Sequence, residues 1–164
     1  MLQRADHSDA GYGASMGMAE KYHQKNLELI QGAVSEPITS AAIFQRKGQM
    51  GANLTGGFAA GASLAAHGDA KKAAPGFPEN TILGASDTRL YAFKVKSGFS
   101  WKLKEPVGIW DRSAVQITAT PGKATAQLRF DFGDGAVAEL ECQTLATNAG
   151  NLVFVREVTG NPEF

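Results

Sequence analysis

The sequence predicts a mainly β protein of the α+β class: an antiparallel barrel or sandwich of about seven strands, with an additional N-terminal helix and a C-terminal capping helix. Three observations carry that reading. Apolar and polar residues alternate through Val115–Cys142. Turn signals at Pro121-Gly122 and Gly133-Asp134-Gly135 fall where the alternation must reverse direction. The segments outside the β-rich middle carry helical spacing instead.

A chain of 164 residues accommodates one domain with appendages. Its 16 basic residues balance 16 acidic ones, so no global field draws it to nucleic acid, and any electrostatic site must be local. The N-terminal residues hold no apolar core of a signal peptide, and no stretch approaches the roughly 20 apolar residues of a membrane span. The single cysteine, Cys142, falls on an apolar strand face, where a buried structural thiol is expected. These features together give a cytoplasmic expectation.

Residues 1–14 are rich in Gly, Ala, Asp and Ser without periodicity and read as a flexible tail. Residues 15–35 read as the N-terminal helix: Ser15 can cap it, Glu20 suits its first turn, and Leu27, Ile30 and Val34 follow helical spacing. Glu36-Pro37 breaks it, and Ile38–Gln45 is the first strand, ending in Arg46-Lys47-Gly48. Residues 51–78 are mostly Gly and Ala, with Leu54, Phe58 and Leu64 as large apolar groups. Their spacing admits a flexible insertion, an association helix or a membrane contact, and Gly57, Phe58, Gly61 and Leu64 are the candidate association residues.

Strands then follow closely. Thr81–Ala85 leads through the turn Ser86-Asp87-Thr88 into Arg89–Lys96, with Asp87 expected to bond the turn amides and Arg89 to pair with a carboxylate. A three-residue loop, Ser97-Gly98-Phe99, would set Val95 opposite Trp101, Phe93 opposite Leu103 and Lys94 opposite Lys102. Pro106 marks a bend or a sheet edge, followed by Val107–Trp110, and Asp111-Arg112-Ser113 turns. A two-residue loop at Pro121-Gly122 would pair Ala119 with Ala124, Ile117 with Ala126 and Val115 with Leu128. A three-residue loop at Gly133-Asp134-Gly135 would set Ala138 opposite Phe130, Leu140 opposite Leu128, Cys142 opposite Ala126 and Arg129 opposite Glu139. Leu145, Ala149, Leu152 and Val155 then space a C-terminal helix ending near Gly160.

This order, with the segments Ile82–Phe93 and Trp110-Asp111-Arg112-Ser113, resembles the bacterial pleckstrin-homology-like (PH-like) domains, in particular small actinobacterial proteins with a Gly-rich insertion. The resemblance spans roughly residues 36–160 and implies a barrel or sandwich and a non-enzymatic module that binds phosphoinositides, peptides or proteins. Arg46 and Lys47 precede the Gly/Ala-rich insertion here, so lipid head-group binding is not carried over.

Lys94, Lys96, Lys102 and Lys104 lie on the wet face of one hairpin and form the candidate anion- or partner-binding site. Trp101, Trp110 and Phe99 are candidates for a binding edge, Trp101 being assigned to the core by its pairing with Val95. His7, His23 and His67 have no paired spacing, so no metal set follows. No nucleophile elbow, phosphate loop or Cys-x-x-Cys occurs, and the strand carboxylates Asp131, Asp134, Glu139 and Glu141 show no pattern of coupled catalytic acids. The expectation is a protein-binding or scaffold module without cofactor or metal, engaging a protein partner or its own copies. The alternative is a peripheral adaptor whose lysine face meets anionic lipid.

Overall fold

The computed structural model describes residues 9–49 and 71–164, residues 9–16 through their backbone alone. Helix α1 spans Asp9–Gln31. Seven strands follow: β1 Ser40–Arg46, β2 Asn80–Ala85, β3 Arg89–Lys96, β4 Lys102–Asp111, β5 Gln116–Pro121, β6 Thr125–Asp131 and β7 Val137–Gln143. A short 3-10 turn at Ala146–Gly150 leads into helix α2, Asn151–Thr159. The strands form one antiparallel sheet in the order β4-β3-β2-β1-β7-β6-β5. Its two edges, β4 and β5, are consecutive in sequence and joined by the 3-10 turn Arg112–Ala114. A sheet whose edges are tied by so short a connection must curl onto itself.

The curl creates an inner core of Phe44, Leu83, Leu90, Leu128, Phe130 and Leu140, covered by Phe154 and Val155 of α2. Phe44 meets Phe154 edge-on at 5.5 Å between ring centroids. At the open flank Trp110 lies against Phe132 at 4.7 Å, and Phe77 stacks on Trp110 at 6.0 Å. The outer face of β1–β3 is also apolar: Ala41, Ile82, Tyr91, Phe93 and Val95 form a second core with Ile30 of α1. Adjacent residues such as Ile82 and Leu83 therefore enter different cores, as the strand period requires. Gly84 permits the closest approach of helix to sheet, because a Cβ there would stand 2.5 Å from Ile30 Cδ1.

The β6–β7 hairpin has the expected register: Phe130 faces Ala138, Leu128 faces Leu140, Ala126 faces Cys142 and Arg129 faces Glu139. Gly133 and Gly135 adopt φ of 77° and 90°, and Asp134 accepts from the Ala136 amide at 2.8 Å. The β5–β6 register differs. Ala119 faces Leu128 rather than Ala124, four residues further along β6, and Pro121 is a strand residue opposite Ala126. An even displacement keeps the apolar face, and β5 is an edge strand, where a residue without an N–H is tolerated. Gly122 sits in a close turn, where a Cβ would lie 2.8 Å from Thr125 Oγ1 and 3.1 Å from Thr125 O.

Two other expectations are settled. Strand β4 runs through Pro106 over 10 residues as an edge of the sheet, so of the two readings of Pro106 the edge holds, and register irregularities in the pairing with β3 accommodate the proline. Helix α1 begins at Asp9, ahead of Ser15, so Ser15 is interior rather than a cap. At the other terminus Gly160 ends α2 at φ 67°, its amide donating to Arg156 O at 2.9 Å. Leu145 precedes the helix and is 57 % exposed, so it is not part of the helical face. Ala74 and Phe77, from the end of the Gly/Ala-rich segment, are buried in the inner core.

Gly84→Val should destabilise the domain by about 1–3 kcal/mol through overpacking against Ile30. Thermal unfolding checks this, and adding Ile30→Ala should recover part of the loss. Additive effects of the two substitutions would contradict the close approach.

Candidate functional site

Two polar clusters organise the loops at one end of the sheet. Glu36, between α1 and β1, accepts hydrogen bonds from Tyr91 Oη at 2.5 Å, Thr88 Oγ1 at 2.8 Å and Ser86 Oγ at 2.9 Å. These donors, Tyr91 foremost, hold its carboxyl below the ordinary value of 4.5. The same bond raises the Tyr91 phenol, because ionising it would face the Glu36 charge. The β2–β3 turn is built by Ser86, whose Oγ accepts from the Arg89 amide at 2.9 Å and the Thr88 amide at 3.3 Å. That is the role expected of Asp87.

Arg112 forms the second cluster. Its guanidinium donates to Ser86 O at 2.7 Å, to Glu157 Oε1 at 3.2 Å and to Glu157 O at 3.1 Å. Its amide donates to Thr88 O at 2.9 Å. The two segments that carry the family resemblance, around Ser86–Arg89 and Trp110–Ser113, thus meet and tie the β2–β3 turn to α2. Ser86, Thr88, Asp111, Arg112 and Ser113 use their side chains in holding the fold.

The β3–β4 hairpin places the lysines differently from expectation. Val95 faces Leu103 and Lys96 faces Lys102, so the connection is the longer Ser97–Trp101, and the like-charge pair is Lys96/Lys102. Lys94 instead pairs with Glu105 at 3.0 Å, which removes the repulsion predicted for Lys94 against Lys102. The irregularities between Ala92 and Val95 displace the register and bring Glu105 into reach. Lys94, Lys96 and Lys104 border one surface hollow of about 610 Å³ together with Glu79 and Glu105, and Lys102 stands apart from it. The face is therefore of mixed charge rather than uniformly cationic.

Of the aromatic candidates, Trp110 is half-buried between β4 and β6, its ring lying over Gly108, where a Cβ would come within 2.3 Å of it. Trp101 is half-buried against the outer core. Phe99 is different: it is fully exposed, at 116 % of its reference area. It borders a groove of about 590 Å³ between α1 and the β3–β4 loop, with Tyr22, Leu29 and Trp101. Lys25 Nζ stands 5.6 Å from the Tyr22 ring centroid on the helix side. Gly57, Phe58, Gly61 and Leu64 lie outside the described residues, as do His7 and His67.

Cys142 is buried, and desolvation pushes its thiol up to about 12, which makes it a poor nucleophile. The strand carboxylates are engaged locally: Asp131 accepts from Gly133 N at 3.0 Å, Glu139 pairs with Lys47 at 3.3 Å, and Glu141 accepts from Gly48 N at 3.1 Å. Among the described residues no group of three or more His, Cys, Asp and Glu could hold a metal ion. No described helix is long and apolar enough to cross a membrane.

Sequence reasoning missed Glu36 as an organising residue, and also the polar lining that His23, Gln45 and Glu141 give to a hollow beneath α1. Glu36 reads as a helix breaker beside Pro37, and its partner Ser86 is 50 residues away, so no local pattern announces it.

Glu36 should give the domain an acid-sensitive stability. Its folded value is lowered, so its contribution is present above the unfolded value near 4.5 and is lost as pH falls through the folded value. Glu36→Gln should lower the melting temperature at neutral pH and flatten its decline in acid. Parallel melting curves of the two proteins across that range would contradict the assignment.

Comparison of the chain with protein-family models, with curated proteins and with solved structures finds no match.

Proposed function

We propose that this chain is a non-enzymatic binding or scaffold module of PH-like type that engages a protein partner, including its own copies, through the groove between α1 and the β3–β4 loop. In support of the PH-like reading, β1–β4 and β5–β7 form consecutive halves of one curled sheet, and the C-terminal helix α2 covers the inner core. Helix α1 adds a layer outside that plan.

Phe99 carries the binding reading. A fully exposed aromatic ring over a groove with Tyr22, Leu29 and Trp101 is the composition of a contact centre, where aromatic anchors contribute most of the binding energy. The engaged carboxylates and the protonated, buried Cys142 favour binding over catalysis. The balanced charge of the chain, 16 basic against 16 acidic residues, suits a protein partner better than nucleic acid. A cytoplasmic setting accords with the single, reduced cysteine.

One observation favours the peripheral-membrane alternative. Lys96 and Lys102 face each other at the base of the loop that exposes Phe99, so a ring and two cations could meet one anionic surface.

A photo-crosslinker replacing Phe99 in cells of the native host should recover a discrete protein, and Phe99→Ser should weaken the purified pair about 30-fold while leaving the melting temperature unchanged. Affinity unchanged in Phe99→Ser would overturn the groove as the contact. Sedimentation with anionic vesicles that falls as salt rises, and is lost in Lys96→Glu with Lys102→Glu, would replace the protein reading by the membrane one.

A further inference from the structure

Helix α1 carries two stripes of the same spacing, one residue apart. Ala19, His23 and Ile30, with half-buried Asn26 between them, face the domain. Met18, Tyr22, Lys25 and Leu29 repeat that spacing one position earlier, which is about 100° round the helix. Tyr22, Lys25 and Leu29 of this second stripe line the groove beside Phe99. Met18 is 50 % exposed and Tyr22 44 %, and with Phe99 they are three of the six large hydrophobic side chains exposed among the described residues. Such a gathering marks an interaction surface, where single scattered side chains would not. We infer that its occupant is the same stripe of a second copy, the two α1 helices pairing antiparallel about a two-fold axis. The inference rests on the groove reading above and names the partner that the groove takes.

Charge decides both the occupant and its direction. Lys21 and Glu28 stand two helical turns apart on one flank of the stripe, both exposed, and neither has an ion-pair partner among the described residues. An antiparallel pairing that sets Met18 against the second copy's Leu29, and Tyr22 against its Lys25, brings Lys21 beside its Glu28. The two-fold axis makes that ion pair twice. Charges flanking an apolar seam select partner and orientation in paired helices, and these two are self-complementary only when the helices run in opposite directions. Lys25 Nζ already stands 5.6 Å from the Tyr22 ring centroid of its own copy, so the paired face sets two ammonium groups among two rings. A parallel pairing would instead set Lys25 against Lys25.

Phe99 borders the same groove and covers the incoming helix from the loop side. Each copy contributes Met18, Tyr22, Leu29 and Phe99 as its apolar contacts, a patch at the small end of specific interfaces. A dissociation constant on the order of 100 µM is expected. The buried stripe of α1 stays on its own sheet, so association needs no rearrangement of the fold.

The test is sedimentation equilibrium of the full chain from about 10 µM to about 1 mM. The chain should dimerise over this range. Lys21→Glu and Glu28→Lys, each alone, place like charges together at both ends of the pair and should weaken association about tenfold. Both positions are exposed, so the fold is kept. An equimolar mixture of the two variants restores both ion pairs between unlike copies and should form a heterodimer as tight as the native pair. A chain that stays monomeric at the highest concentration, association unchanged by the single reversals, or a mixture no tighter than its components would overturn the pairing. The groove reading survives those results if Phe99→Ser still weakens binding of a different protein captured at Phe99, and falls with the pairing if it does not.

Discussion

The constraint on which the fold depends is that β2 and β3 are apolar on both faces. One face of an antiparallel sheet can stay wet, but Ile82, Tyr91, Phe93 and Val95 point away from the inner core and need cover of their own. Helix α1 supplies it through Ile30, and the contact at Gly84 brings helix and strand closer than any larger residue would allow. Strands β1–β3 are therefore the middle of three layers, while β5 and β6 keep the alternation of a half-exposed strand. The hollow beneath α1 follows from the same arrangement, since a helix laid over a twisted sheet cannot follow it along its whole length.

Polar groups then fix what the apolar layers leave free. Hydrophobic contact is non-directional, and it would allow α1 to slide or the turn into β3 to shift. Glu36 binds the end of α1 to three hydroxyls from the β2–β3 segment, and Arg112 binds that segment to the end of α2. Both helices are thereby referred to one turn, so the layers share a common origin rather than three separate ones.

Legibility in the sequence followed locality. The β6–β7 register was readable because Gly133, Asp134 and Gly135 carry the geometry of their own turn. The Pro121-Gly122 signal misled, because proline is compatible with a turn or with an edge strand, and edge position is a property of the completed sheet. The lysine face was visible as exposed charge, yet its pairing was not: an irregular register puts Glu105 beside Lys94 and sets Lys96 against Lys102. The cover provided by α1, the Glu36 cluster and the polar hollow lined by His23 and Gln45 depend on residues that meet only after folding, so nothing in their immediate neighbours foretold them.

The junction of β1 with β2 has a further consequence. Gln45 and Asn80 are direct partners across the ladder and their side chains are hydrogen-bonded, so the chain leaves the sheet and re-enters it at almost one point. The entropy of closing a connection between such fixed ends grows only as the logarithm of its length, about 0.6 kcal/mol per doubling. Changes in the length of the connection would therefore cost little closure entropy, whereas its composition is constrained where Ala74 and Phe77 enter the inner core and Lys47 and Gly48 meet β7. The framework is thus more tolerant of how long this excursion is than of how it returns.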